Sequence, residues 1–296
     1  MMRVALSLLW QRILRRDRSH DATQKERCMQ DLSFRVQRYL PGQDKKPYIQ
    51  EFTVPFRQGM TVLDSLIYIK ENIDNTLSFR SSCRMGICGS CGMLINNFPM
   101  LACHTPVEEL GTDRVEVRSL PNFPIIRDLV ASLDPLFEKH RSIKPYVISS
   151  DMKEAEEPIA EFLQSRDELE SYVQFAYCVK CGLCMAACPT VATDALFLGP
   201  QPLGQAYRYC TDRRDTGAKE RFREADSPHG VWLCHLAGAC SEACPKGVDP
   251  ALAIQLLKRA MVFDSLRLRK KRAPASVAQP PAESKPKIDV PEFTVK

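Results

Sequence analysis

The pattern of apolar and polar residues changes character near residue 131. After that point helical spacing dominates, whereas before it short alternating runs predict β-strands. The run "TVLDSLIYIKENI" interrupts the strands with apolar residues at helical spacing, and Thr61 is its predicted N-cap. The run "GMLINNFPMLAC" predicts a hairpin that turns at Asn96 and Asn97. A sheet crossed by one helix indicates a β-grasp arrangement. The other predicted strands are 33–40, 48–56 and 114–120.

These patterns divide the chain into four segments and make it an α+β protein. A sheet domain is predicted first and a helical domain second, and "IAEFLQSRDELESYVQFA" (159–176) is expected to form one helix of the second domain. The last segment is basic and then rich in Pro, Ala and Ser, so we expect it to be disordered. The four segments are 1–30, 31–131, 132–265 and 266–296.

The N-terminal extension, residues 1–30, has five arginines interleaved with apolar residues between positions 3 and 18. It predicts a short basic amphipathic helix, either an organelle transit peptide or a helix on a membrane surface. Asp17 argues against a transit peptide, and an extended or misassigned start is an alternative. No run of about 18 apolar residues predicts a membrane span. The net charge of +5 is mild and does not indicate nucleic-acid binding.

Thirteen cysteines are a high number for 296 residues. Disulfides are one explanation, but the number is odd and most of the cysteines are two to four residues apart. Such spacing suits metal ligands better than disulfides and indicates a reducing compartment.

The first group of cysteines lies in "SSCRMGICGSC". Cys83, Cys88 and Cys91 have the C-x4-C-x2-C spacing of plant-type ferredoxins, and Cys103 supplies a distant fourth ligand. This pattern predicts a [2Fe–2S] cluster, with interleaved glycines that let the backbone approach the sulfurs. Zinc is the alternative, although zinc sites favour paired C-x2-C units.

The second group, "CVKCGLCMAACP", has the C-x2-C-x2-C-x3-C-P spacing of bacterial ferredoxins. In that pattern the fourth cysteine binds the other cluster of a pair. Cys178, Cys181 and Cys184 are therefore predicted to hold a [4Fe–4S] cluster together with Cys244, which also precedes a proline.

The third group, "CHLAGACSEACP", has the same spacing with one ligand missing. Cys188, Cys234 and Cys240 remain for this cluster, and Ala237 stands at the fourth position. Three thiolates predict a [3Fe–4S] cluster, and a [4Fe–4S] cluster with one labile iron is the alternative. Eleven cysteines are thereby assigned. Cys28 and Cys210 are left without a predicted role.

The chain resembles the iron–sulfur subunits of succinate dehydrogenase and fumarate reductase over roughly residues 33–265. The resemblance is carried by "SCRMGICGSCGMLINN", "NFPIIRDLV", "CGLCMAACP" and "CPKGVDPALAIQ", of which the first two look closer to the fumarate reductase branch. It implies a plant-type ferredoxin domain followed by a helical domain of the bacterial ferredoxin type.

The resemblance also implies a function and partners. Subunits of this family pass electrons between a flavoprotein that carries FAD and a quinone held by membrane anchor subunits. Because the chain has no G-x-G-x-x-G fingerprint for FAD, the dicarboxylate chemistry is expected in the flavoprotein, and no catalytic residue is predicted here. By the same resemblance, the expected location is the cytoplasmic face of a bacterial inner membrane, or else the matrix side of the mitochondrial one.

Two residues match quinone-site positions of the family. His235 follows Cys234, and Lys258 lies in "AIQLLK"; either could donate a proton to quinone, or serve only as a structural or solvated group. The basic run at 266–272 is expected to be solvated, with lipid headgroups as an alternative partner. Two other functions stay open: a subunit of another respiratory or heterodisulfide-reductase-like complex, and a zinc-binding interaction module.

Overall fold

The computed structural model describes residues 31–149, 163–266 and 268. Its first part is a five-stranded mixed sheet in the order β2–β1–β5–β3–β4, in which only the β1–β5 pair is parallel. The predicted strands and the β-grasp arrangement are confirmed. The elements are β1 (Asp31–Arg38), β2 (Tyr48–Pro55), α1 (Val62–Asn72), β3 (Gly92–Ile95), β4 (Phe98–Leu101), β5 (Arg114–Arg118), β6 (Ile125–Arg127) and β7 (Val130–Ala131).

Local sequence signals position these elements as expected. Helix α1 starts with a capping box, because the Thr61 hydroxyl accepts from the Asp64 N–H and the Asp64 carboxylate accepts from the Thr61 N–H. The β3–β4 turn has φ of 47° at Asn96 and 65° at Asn97, a left-handed pair that asparagine tolerates well. Both predictions are confirmed.

The second part consists of short helices around two longer ones. Helix α7 is buried on all sides over its first seven residues, and α10 packs against it with Ile254 and Leu257 fully buried. Within the described residues the helices are α2 (Asp134–Ser142), α3 (Arg166–Glu170), α4 (Val173–Ala176), α5 (Leu183–Ala186), α6 (Pro189–Thr193), α7 (Pro200–Thr211), α8 (Ala218–Ala225), α9 (Ala239–Glu242) and α10 (Pro250–Ser265).

The prediction of a single helix over 159–176 is wrong for the part of this range that the structure describes. Helix α3 begins only at Arg166, after a capping box between Ser165 and Glu168. It ends at Ser171, whose hydroxyl donates to the Glu168 carbonyl, and Tyr172 leaves helical geometry with φ of −138°. Side-chain bonds from serine to nearby backbone compete with the helix and override the apolar periodicity.

One apolar core runs through both parts of the fold. It joins sheet residues such as Phe34 and Val117 to helical residues such as Leu203 and Leu257. In the described ranges no helix has both the length and the apolar character needed to cross a bilayer. The predicted extension at 1–30, with Cys28, and nearly all of the tail lie outside the described residues.

Candidate functional site

The first group of cysteines lies on the loop that leads into β3. The Cys83 sulfur is within hydrogen-bond distance of three backbone nitrogens, at 3.3 Å from Ile87 and Cys88 and 3.5 Å from Met85. The Cys103 sulfur accepts from Gly86 N–H at 3.2 Å, and Cys91 and Cys88 sulfurs each accept one backbone N–H at 3.5 Å. Such donors stabilise negatively charged sulfur, so the loop suits an iron–sulfur cluster.

Glycine lets this loop approach the second group of cysteines. Gly89 has φ of +74°, and a Cβ built on it would lie 2.6 Å from the Cys181 Cβ and 3.0 Å from the Cys181 Cα. Gly92 is less crowded, since a Cβ there would lie 3.2 Å from the Cδ2 of the Leu183 side chain. The backbone of the first loop therefore touches the backbone of the second.

The second group lines a cavity between α5, α7 and the start of α10. The cavity contains all four predicted [4Fe–4S] ligands: Cys178, Cys181, Cys184 and Cys244. The Cys244 sulfur accepts from Val248 N–H at 3.4 Å, and a glutamine of α7, Gln201, lies 3.9 Å from the Cys178 sulfur. Thus residues more than 60 positions apart form one thiol-lined pocket.

The third group lines a separate cavity. Cys188, Cys234 and Cys240 all face it, and Ala237 lies in the same wall. Leu236, beside Ala237, has φ of +61° and is 53% exposed. The position that lacks a thiol is therefore at the solvent-facing side of the cavity.

Burial raises the pKa of five of these thiols. It raises the pKa of Cys91 to about 12 and those of Cys181 and Cys240 to about 11, and it also raises those of Cys178 and Cys184. Hydrogen bonds with Ser90 and Cys83 instead lower the pKa of Cys88 to about 6. Thiolate is the form that binds iron, so cluster binding must displace protons from the buried cysteines.

The predicted ligands are all thiols in the described structure, none of them in a disulfide. No group of three or more Cys, His, Asp or Glu side chains is arranged to hold a lone metal ion within the described residues. The donor set is instead sulfur around cavities, with backbone N–H groups directed at the sulfurs. This arrangement fits iron–sulfur clusters.

Asn122 is a site residue that the sequence patterns did not single out. Its side-chain nitrogen lies 3.0 Å from the Met185 carbonyl, 3.1 Å from that of Ala186 and 3.3 Å from that of Cys188. One amide of the sheet domain thus holds the segment that ends the second cysteine motif. The segment "NFPIIRDLV" was noted only for its resemblance, and a contact over 63 or more residues leaves no local pattern.

The two predicted quinone residues lie near the third cavity. His235 is exposed on its wall. Lys258 is half-buried on α10, where its Nζ donates to the Cys234 carbonyl at 3.3 Å and lies 5.9 Å from the centre of the Trp232 ring. Cys210 is buried on α7, apart from both cavities.

The fold and the sites define an electron carrier built from two ferredoxin-type parts, and family comparisons agree. Residues 33–138 match the family described as 2Fe-2S iron-sulfur cluster binding domain, and residues 174–248 match the 4Fe-4S dicluster domain. The chain therefore carries [2Fe–2S] and [4Fe–4S] binding domains.

Curated relatives specify the family further. The chain is 45% identical over 227 residues to the fumarate reductase iron-sulfur subunit of Escherichia coli O6:H1, covering 77% of this chain and 91% of the relative. It is 44% identical to the corresponding subunit of Mycobacterium tuberculosis, over 81% of this chain and 96% of the relative. It is 38% identical to the succinate dehydrogenase iron-sulfur subunit of Paracoccus denitrificans, over 77% of this chain and 87% of the relative.

A solved structure agrees with these relatives. The Mycobacterium smegmatis Sdh1 complex in the apo form contains a chain that matches with a TM-score of 0.72 at 26% identity, over 80% of this chain and 98% of that one. The chain belongs to the iron–sulfur subunits of fumarate reductase and succinate dehydrogenase, and it is a subunit of an oxidoreductase. Because the chain belongs to this family, the two alternatives, a heterodisulfide-reductase-like complex and a zinc-binding interaction module, no longer apply.

Proposed function

We propose that this chain relays electrons between the FAD of a flavoprotein subunit and a quinone at a membrane anchor, within a succinate:quinone oxidoreductase. When bound, iron–sulfur clusters supply one-electron redox chemistry, while the residues of the chain fix their positions and solvation. We assign Cys83, Cys88, Cys91 and Cys103 to [2Fe–2S], Cys178, Cys181, Cys184 and Cys244 to [4Fe–4S], and Cys188, Cys234 and Cys240 to [3Fe–4S].

The observation that carries this proposal is the contact series between the three groups. Gly89 of the first loop lies directly against Cys181 of the second group. Pro200 lines both the second and the third cavity. The first and second groups are therefore in direct contact, and the second and third share a wall residue, which supports an electron relay through all three.

The two ends of this series have exposed apolar side chains. Met85 and Ile87 are 69% and 54% exposed beside Cys83 and Cys88, which supports a flavoprotein docked at the first group. Around the third cavity Leu236 and Trp232 are about half exposed, which supports contact with a membrane anchor and its quinone. We infer a peripheral location on the cytoplasmic face of a bacterial inner membrane, with the mitochondrial matrix side as the alternative.

Lys258 is the better of the two candidates for contact with quinone. Its ammonium group is held at the third cysteine group by the Cys234 carbonyl, and a donor there can give a proton to a quinone oxygen. His235 is exposed on the wall of the same cavity and is the second candidate. The predicted domain boundaries, 31–131 and 132–265, stay as proposed.

The test uses the complex purified from native membranes. The partners are identified first. Succinate oxidation is then measured with a quinone or an oxidised dye, and fumarate reduction with the quinol or the reduced dye. Lys258→Met should lower quinone-linked turnover by about 10²- to 10⁴-fold and leave dye-linked turnover unchanged. Arg259→Met is the matched control, because Arg259 is the next residue and is exposed against the Phe263 ring.

Two outcomes contradict different parts of the proposal, the relay function and the role of Lys258. A complex without a flavoprotein, or without activity toward either dicarboxylate, means that the relay function is wrong. Equal loss of quinone-linked and dye-linked turnover in Lys258→Met means that Lys258 is structural, and the relay is unaffected.

A further inference from the structure

Gln201 on α7 is a buried polar residue inside the second cavity. Its side chain is 3% exposed and lines the pocket of Cys178, Cys181, Cys184 and Cys244. Its Nε2 lies 3.9 Å from the Cys178 sulfur, a long contact that is suitable for the large sulfur atom, and 3.2 Å from Nδ1 of His140 on α2. The Lys180 backbone N–H also interacts with this sulfur, and Gln201 supplies a side-chain amide to it.

His140 and Gln201 face each other through one hydrogen bond whose direction depends on the tautomer of the ring. The ring is 7% exposed, and burial, with the nearby Lys180 as a second cause, lowers its pKa to about 4. With Nδ1 as the accepting nitrogen of the neutral ring, the Gln201 amide nitrogen gives one hydrogen to the ring and the other to the Cys178 sulfur. The reverse orientation needs a hydrogen on Nδ1 and directs the amide oxygen at the sulfur, which is unfavourable when that sulfur is a thiolate ligand.

The Gln201 amide keeps this orientation although its oxygen makes no hydrogen bond to the described residues. Gln201 Oε1 is buried without a hydrogen-bond partner among the described residues. A buried amide oxygen that is left unpaired is unfavourable. A glutamine at this place therefore needs a compensating gain, and the two acceptors that share its NH₂ group are the gain that the structure offers.

We propose that Gln201, positioned by His140, donates an N–H···S hydrogen bond to Cys178 and raises the reduction potential of the cluster held there. The cluster gains negative charge when it is reduced, so a donor to a ligand sulfur stabilises the reduced form more than the oxidised form. This inference rests on the proposed assignment of Cys178, Cys181, Cys184 and Cys244 to the [4Fe–4S] cluster. In this chain Gln201 thus sets the reduction potential at the middle of the relay, and His140 holds Gln201 in position.

The same helix supplies a matched control. Gln205 is one turn further along α7, is 6% exposed and also lines the cavity, but its Nε2 donates to the Phe175 carbonyl at 2.7 Å. Methionine replaces glutamine with similar length and no strong donor. Gln201→Met and Gln205→Met therefore make the same change of chemistry in the same cavity, and only the first removes a donor to sulfur.

The experiment is a redox titration of the purified complex followed by electron paramagnetic resonance, with the [2Fe–2S] signal as an internal reference. Gln201→Met should decrease the ratio of reduced to oxidised [4Fe–4S] cluster at a fixed potential by up to about tenfold, a shift of about 59 mV for one electron. Gln205→Met should leave it unchanged. His140→Phe keeps the glutamine but removes its anchor, so we expect a smaller shift of the same sign.

Each result has one interpretation. A wild-type complex without a [4Fe–4S] signal overturns the assignment of the ligands and not only the role of Gln201. A [4Fe–4S] signal with equal potentials in wild type and Gln201→Met overturns this inference and leaves the relay intact. Equal shifts in the two methionine variants also overturn it, because the cause would then be cavity polarity. If Gln201→Met does not assemble, an unshifted potential in His140→Phe is sufficient to reject it.

Discussion

Replacing Gly89 with alanine tests the contact between the first and second cysteine groups. The added methyl group would lie 2.6 Å from the Cys181 Cβ, where ordinary contacts begin near 3.4 Å. The neighbouring atoms are the Cβ and Cα of Cys181, itself a predicted ligand, so they cannot rotate away as the end of a flexible side chain would. The two loops must therefore separate by nearly 1 Å.

The free-energy cost of Gly89→Ala has two parts, and a control variant separates them. A left-handed alanine costs about 1–2 kcal/mol at φ of +74°. Gly59 has nearly the same φ, +77°, and nothing within 4 Å of its built Cβ, so Gly59→Ala carries the backbone cost alone. Overpacking adds about 1–3 kcal/mol in Gly89→Ala. For a chain of this size that difference lowers the midpoint of thermal unfolding by roughly 2–12 °C.

The assay is thermal bleaching of the visible cluster absorbance in the purified complex, with iron per chain measured before heating. We expect Gly89→Ala to bleach at a lower temperature than Gly59→Ala and to retain less iron. The spin coupling between reduced [2Fe–2S] and [4Fe–4S] centres should also weaken, because the loops have moved apart. Equal bleaching temperatures for the two variants would refute the reasoning.

Three further predictions follow from the sites. Ala237→Cys supplies the missing thiol, so the oxidised [3Fe–4S] resonance should disappear while [2Fe–2S] is kept; an undiminished signal would mean that the absent thiol does not fix the cluster type. Asn122→Gly keeps the left-handed backbone of Asn122 but removes donors to three carbonyls, and should cost about 1–3 kcal/mol in thermal unfolding of the complex. The chain alone, loaded with clusters, should not turn over succinate or fumarate with a dye, since it has no flavin fingerprint.

Features that depend on neighbours along the chain could be predicted from the sequence. The N-cap at Thr61 and the Asn96–Asn97 turn each involve residues at most three positions apart, so the local pattern contains the cause. Cysteine spacing works in the same way within one loop. The joining of Cys244 with Cys178 was predictable only because a proline follows both Cys188 and Cys244 and so marks the shared pattern.

Features that depend on distant contacts were not predictable. Nothing near Asn122 indicates that its amide meets carbonyls 63 to 66 residues away. The Gln201 and His140 side chains are 61 residues apart and belong to different helices. The break at Tyr172 was missed for a different reason, because apolar periodicity continues through it while serine hydrogen bonds end the helix.

The packing between the two parts limits how such a subunit can change in evolution. A Cβ on Gly182 would lie 3.3 Å from Phe123, and one on Gly92 would lie 3.2 Å from Leu183, so glycines on each side accommodate the other. A ferredoxin domain of another origin, exchanged for residues 31–131, would bring its own cysteines but not this surface. Although each part carries its own cysteine motif, the contact surfaces of the two parts must therefore change together.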